Sequence, residues 1–127
     1  MNVLAPRRFL LALALVLFAG TALAKPSNKW RLEFSGGAES DGEIVLVITP
    51  VGGEPIEVTT VVKKSDGENR VARRVRDALK EVLDADYKVE RDDGEDVLVK
   101  RRRGRPNFEV ALVSNTVESV RINFDRE

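Results

Sequence analysis

The sequence predicts an α+β domain: a mostly antiparallel sheet of about six to seven strands with one amphipathic helix, about residues 66–84, packed on it. Three observations carry this. Apolar residues recur with period two in short runs along residues 30–124. A single stretch, residues 71–83, switches to a 3.6-residue stripe. Short glycine-, proline- and asparagine-containing turns separate the runs, so sequential strands lie side by side and the helix covers one face.

The chain opens on a different kind of segment. Arg7-Arg8 precedes an apolar run from Phe9 to Ala19, and Thr21-Ala22-Leu23-Ala24 follows before Lys25. A charged start, a short apolar core and small residues at Ala22 and Ala24 are the parts of a cleavable secretory signal, cut between Ala24 and Lys25. The apolar run is about 11 residues, where a membrane-spanning helix needs roughly 20, so no stable membrane anchor is expected after cleavage. The expected division is a signal at 1–24 and one small domain at 25–127, periplasmic or secreted. Lys25 follows the cut, and with no cysteine in the chain there is none to lipidate.

Trp30, Leu32 and Phe34 alternate with Arg31 and Glu33, a half-buried strand. A glycine- and serine-rich loop, 35–42, follows. Glu43 to Thr49 is apolar and β-branched on both parities, which predicts a central strand covered on both faces. Pro50-Val51-Gly52-Gly53-Glu54-Pro55 turns the chain, with Gly52-Gly53 supplying positive φ, and Ile56 to Val62 returns. Ser65-Asp66-Gly67-Glu68 has the spacing of a capping box: Ser65 caps and Glu68 reaches back to its amide. Val71, Ala72, Val75, Ala78, Leu79, Val82 and Leu83 then form the helix stripe. Arg73–Asp77 and Lys80–Asp84 stand four apart and can pair, each for about 0.3–0.5 kcal/mol.

Tyr87, Val89 and Arg91 start the next strand, turned by Asp92-Asp93-Gly94. A three-residue loop there sets Val89 opposite Val97 and Tyr87 opposite Val99 on one face. Glu95 to Arg103 is the partner strand, broken by Gly104-Arg105-Pro106-Asn107. Phe108, Val110 and Leu112 alternate, Ser114-Asn115-Thr116 turns, and Val120, Ile122 and Phe124 form the last strand. Trp30 and Tyr87 are expected in the core.

Composition excludes several chemistries. The chain has no histidine and no cysteine. Without them there is no ordinary acid/base group for neutral pH, no triad of the usual kind, and no zinc site built on those ligands. An enzyme, a cofactor and a bound metal are therefore not expected. Lysine plus arginine and aspartate plus glutamate number 21 each, and the signal holds two of the arginines and no acid, so the mature domain is slightly acidic. Nothing in that balance draws nucleic acid.

Three local patterns remain. Asp-Gly-Glu recurs at Asp41, Asp66 and Asp93 in three different settings, and reads as independent turn chemistry. Glu90, Asp92, Asp93, Glu95 and Asp96 crowd one hairpin tip. They lack the D-x-D-x-D-G order of a calcium loop, and Arg91 interrupts them, so they read as a solvated turn. Lys100, Arg101, Arg102, Arg103 and Arg105 concentrate positive charge at the end of a strand. Export turns that segment toward anionic envelope polymers or a protein partner. Arg101 and Arg103 share the parity of Val97 and Val99, so the strand's buried face is expected to end there.

Residues 43–124 resemble a small module of phage tail structural proteins and bacterial surface repeat proteins: a hairpin, a V-T-x-x-V strand, a capped helix and a meander. The residues that carry it are Ile56-Glu57-Val58-Thr59-Thr60-Val61-Val62, Ser65-Asp66-Gly67-Glu68, Val71-Ala72, Ala78-Leu79, Tyr87-Lys88-Val89, Val97-Leu98-Val99 and Phe108-Glu109-Val110-Ala111-Leu112. The resemblance implies architecture and supplies no functional residues. The expected function is an exported non-enzymatic domain that binds an envelope protein or anionic polymer through residues 100–105. The alternative is an assembly subunit that self-associates through sheet edges.

Overall fold

The computed structural model describes residues 25–127; the signal segment with Ala22 and Ala24 lies outside the described residues. Seven strands and one helix follow in the order β1 (Lys29–Ser35), β2 (Gly42–Pro50), β3 (Ile56–Val62), α1 (Glu68–Leu83), β4 (Tyr87–Asp92), β5 (Asp96–Arg101), β6 (Phe108–Asn115) and β7 (Arg121–Arg126). The class is the α+β one read from the sequence. The strands divide into two antiparallel sheets, a four-stranded one ordered β4-β5-β1-β7 and a three-stranded one ordered β3-β2-β6. Only the hairpins β2–β3 and β4–β5 join sequence neighbours. β1 pairs with β5 and β7, and β2 takes β6 as its second neighbour.

The two inner faces and the helix stripe share one core. Leu32 and Phe34 of β1, Ile44, Leu46 and Ile48 of β2, Val58 and Val62 of β3, and Val97 and Val99 of β5 close around Val71, Val75, Leu79 and Leu83 of α1. Burial of each such side chain stabilises by about 1.5–3 kcal/mol before ordering costs. Trp30 and Tyr87 lie in this core as expected. The Trp30 indole Nε1 donates to the Phe108 carbonyl at 2.8 Å. The Tyr87 ring meets the Phe108 ring edge-on at 4.9 Å. Ser27 and Phe108 exchange backbone hydrogen bonds at 3.0 and 2.9 Å, so the chain entering β1 is bridged to the start of β6. These contacts tie one sheet to the other.

The capping box does not form. Gly67 is the N-cap, without a side-chain cap, and α1 begins at Glu68. Ser65 turns to φ 81°, and Glu68 accepts the Gly36 amide at 3.3 Å instead. The stronger competitor is Asp66. It is buried, accepts the Lys63 amide at 2.9 Å, and accepts Arg74 Nε at 2.6 Å. A charge-assisted bond of that kind outweighs a hydroxyl cap. The two expected helix pairs also give way: Asp77 takes the adjacent Arg76 at 2.7 Å, and Asp84 takes Arg102 at 3.6 Å.

In the β4–β5 hairpin the apolar residues share a face as predicted, but the register is displaced. Val89 stands opposite Val99, and Tyr87 opposite Arg101. The loop is Asp93-Gly94-Glu95, because Asp93 and Gly94 supply the positive φ values, 50° and 76°. The chain runs one residue further before turning, so Asp92 joins β4 and Glu95 leaves β5; each residue's partner shifts by two positions, and parity survives. At the β2–β3 turn Gly52 alone has positive φ. Two consecutive β6 residues stand against one step of β2, a bulge at Val113 between the pairs Leu46–Leu112 and Val45–Ser114.

Candidate functional site

The basic segment closes β5 and turns toward β6. Lys100 and Arg101 are the last residues of β5, and Arg102–Arg105 form a turn closed by the Arg105 amide on the Arg102 carbonyl at 3.0 Å. Most of its cations already have partners. Lys100 Nζ lies 3.4 Å from Glu90, Arg102 lies 3.6 Å from Asp84, and Arg105 Nε lies 3.0 Å from Asp86. Arg101 Nε donates to Asn107 Oδ1 at 3.0 Å. Arg103 is exposed and in no ion pair among the described residues. Asp84 and Asp86 come from the end of α1 and the loop after it, so these arginines answer a helix terminus rather than the hairpin tip. Beside them Val51, Ile56, Tyr87, Arg105 and Pro106 line a shallow groove of about 220 Å³.

Part of the acidic hairpin tip is also partnered; Asp93 and Glu95 are in no ion pair among the described residues. Arg31, on the outer face of β1, reaches Asp96 at 2.7 Å, Asp92 at 3.2 Å and Glu127 at 2.8 Å. Lys29 adds a bond to Glu127 at 3.4 Å, and Asn123 donates to Glu33 at 2.9 Å. Hydrogen bonds donated to Glu127 and Asp96 hold the Arg31 guanidinium firmly charged. Bonding to Arg31 draws the Glu127 carboxyl below its ordinary value. Around β1 and β5 the outer face of the four-stranded sheet thus pairs most of its charges, with Leu98 buried among them; Arg121 of β7 is in no ion pair among the described residues.

The outer face of the three-stranded sheet differs. Alternation puts Glu43, Val45, Val47 and Thr49 of β2, Glu57, Thr59 and Val61 of β3, and Glu109 and Ala111 of β6 on that face. Register sets Val61 beside Glu43, Thr59 beside Val45, Glu57 beside Val47, and Ala111 on the other side of Val47. Val61 is 52% exposed, whereas Val47, at the centre of the face, is only 5% exposed beneath its neighbours. The three strands contain one glutamate each and no lysine or arginine. No ion pair among the described residues reaches any of these glutamates. Glu109 is half-buried, and burial pushes its carboxyl above the ordinary value with nothing to offset it. Among the described residues no helix or second sheet packs on this face; α1 lies on the core side.

No protein-family model matches the chain, and no curated protein matches it. Sequence reading singled out residues 100–105 and passed over Glu43, Glu57 and Glu109. The signal was present, one acid and no base in each of three strands, but it has meaning only once the strands are known to form one sheet.

Proposed function

We propose that this chain is an exported, non-enzymatic binding domain whose partner is another protein, docking on the outer face of the three-stranded sheet. The observation that carries the reading is the contrast in charge pairing. Most charges of the basic segment and of the outer face of the four-stranded sheet are paired internally, Arg103 excepted, whereas the three-stranded sheet carries three carboxylates in no ion pair around the exposed Val61. A sheet face of this kind is stabilised by covering it. An anionic polymer held at residues 100–105 would have to displace Glu90, Asp84 and Asp86 or rely on Arg103. Self-association through edges is hindered at each one: α1 packs along β3 and β4, a bulge interrupts β6, and β7 is edged by Arg121, Asp125 and Arg126.

Photo-crosslinking in cells tests this. A photoreactive residue at Val45 or Val61 should give a discrete protein adduct, and one at Arg103 should give none. Adducts from Arg103 alone, or loss of binding to anionic envelope polymer when Arg101, Arg102 and Arg103 are changed to alanine, would favour the basic segment instead.

A further inference from the structure

We infer that the partner of the three-stranded sheet is an amphipathic helix whose apolar stripe is flanked by lysines or arginines. The inference rests on the protein-binding reading above and narrows it by charge and size. Charge comes first. Glu43 sits at one end of the face beside Val61, while Glu57 and Glu109 lie toward the other end, on the two outer strands. Between them run Thr59, Val45 and Ala111, over Val47, which is already buried. A partner covering this strip brings those carboxylates into a drier setting, where each needs a cation. The sheet supplies none. A second copy laid on the same face sets glutamates against glutamates and is repelled. An anionic lipid or polysaccharide surface is repelled for the same reason.

Size points to a helix. Three strands about 4.8 Å apart put roughly 10 Å between the outer two, close to the ~10–12 Å diameter of a helix. β3, seven residues long, runs for about 23 Å at ~3.3 Å per residue, the length of about 15 helical residues. A lysine or arginine stem can lie along Val61 or Val45 while its head reaches a glutamate.

The test uses purified protein and an 18-residue helical peptide of leucine and lysine with the leucines on one face. A second peptide carries glutamate in place of lysine. The lysine peptide should bind and shift the amide resonances of Glu43, Val45, Val47, Glu57, Val61 and Ala111, and the glutamate peptide should not. Combining Glu43→Gln, Glu57→Gln and Glu109→Gln should weaken binding at least tenfold while leaving the amide spectrum elsewhere unchanged. Should that variant fold poorly, Glu57→Gln alone, at an exposed position, should still weaken it two- to threefold. Equal binding of both peptides, shifts centred on Asp84 and Asp86, or unchanged affinity in the variants overturns the inference. The two readings fail separately. Adducts at Val45 and Val61 that persist in the glutamine variants keep the protein partner and remove the basic helix, as does an adduct with the mass of two copies of this chain. No adduct at either position removes the protein partner itself.

Discussion

The two sheets share a core and a strand geometry, yet their outer faces follow opposite rules. On the four-stranded sheet Arg31 gathers Asp92, Asp96 and Glu127, and neighbouring charges close in pairs. On the three-stranded sheet Glu43, Glu57 and Glu109 stand alone among valines and threonines. A face that satisfies its own charges has little to offer a partner beyond weak surface contact. A face that leaves them open gains from being covered. Under the proposed function, that difference is what marks the three-stranded sheet as the side that meets a partner.

Substitutions can break this comparison at different depths. The largest effect is expected where the sheets meet. Trp30→Ala removes a buried ring and its bond to the Phe108 carbonyl, and should cost about 3–5 kcal/mol in denaturant unfolding. Asp66→Asn comes next, at about 2 kcal/mol, because Asp66 binds the Lys63 amide and Arg74 where β3 passes into α1. Burial alone would raise the Asp66 carboxyl, but the bonds from Arg74 and Lys63 and the charges of Arg74 and Arg70 bring it below the ordinary value. Its stabilisation is therefore complete above the unfolded-state value near 3.8 and fades as pH falls through the lower folded value. A urea series against pH should show that part of the acid sensitivity missing in Asp66→Asn.

Arg31→Met should cost about 1–2 kcal/mol, since it leaves the buried Asp96 carboxylate without its cation, and the loss should shrink in high salt. Val61→Lys lies at the small end for stability, within about 0.5 kcal/mol at an exposed site, yet should abolish photo-adducts at Val45. Glu109→Gln should stabilise slightly at neutral pH. Its carboxyl titrates higher in the folded chain, so ionisation weakens folding as pH rises through that window, and glutamine removes the penalty. The comparison of faces fails if Arg31→Met proves neutral while Val61→Lys unfolds the protein.

Much of the fold was legible from periodicity, because strand and helix stripes follow from local geometry: the span of β3 matches the sequence reading, and so does the stripe of α1 except at Val82, which the structure leaves 52% exposed. What local geometry could not show was pairing. β1 and β7 meet across most of the chain, so the division into two sheets depends on long-range closure that leaves no mark in any short window. The helix cap was misread because Asp66 draws on Arg74, a partner beyond the capping motif. The basic segment stood out in the sequence, but its acid partners Asp84 and Asp86 were dispersed through an earlier segment and came into place only with the fold.

The closure of β1 against β7 has a mechanical consequence. Ser27 Oγ donates to the Glu127 carbonyl, and the Glu127 amide donates to the carbonyl of Lys29, so Ser27 and Glu127 meet at one corner. A force pulling these two points apart acts across an antiparallel pair from its open end, loading the hydrogen bonds between β1 and β7 one after another. The domain should yield at low tension, peeling β7 away first, even where heat or urea finds it firm.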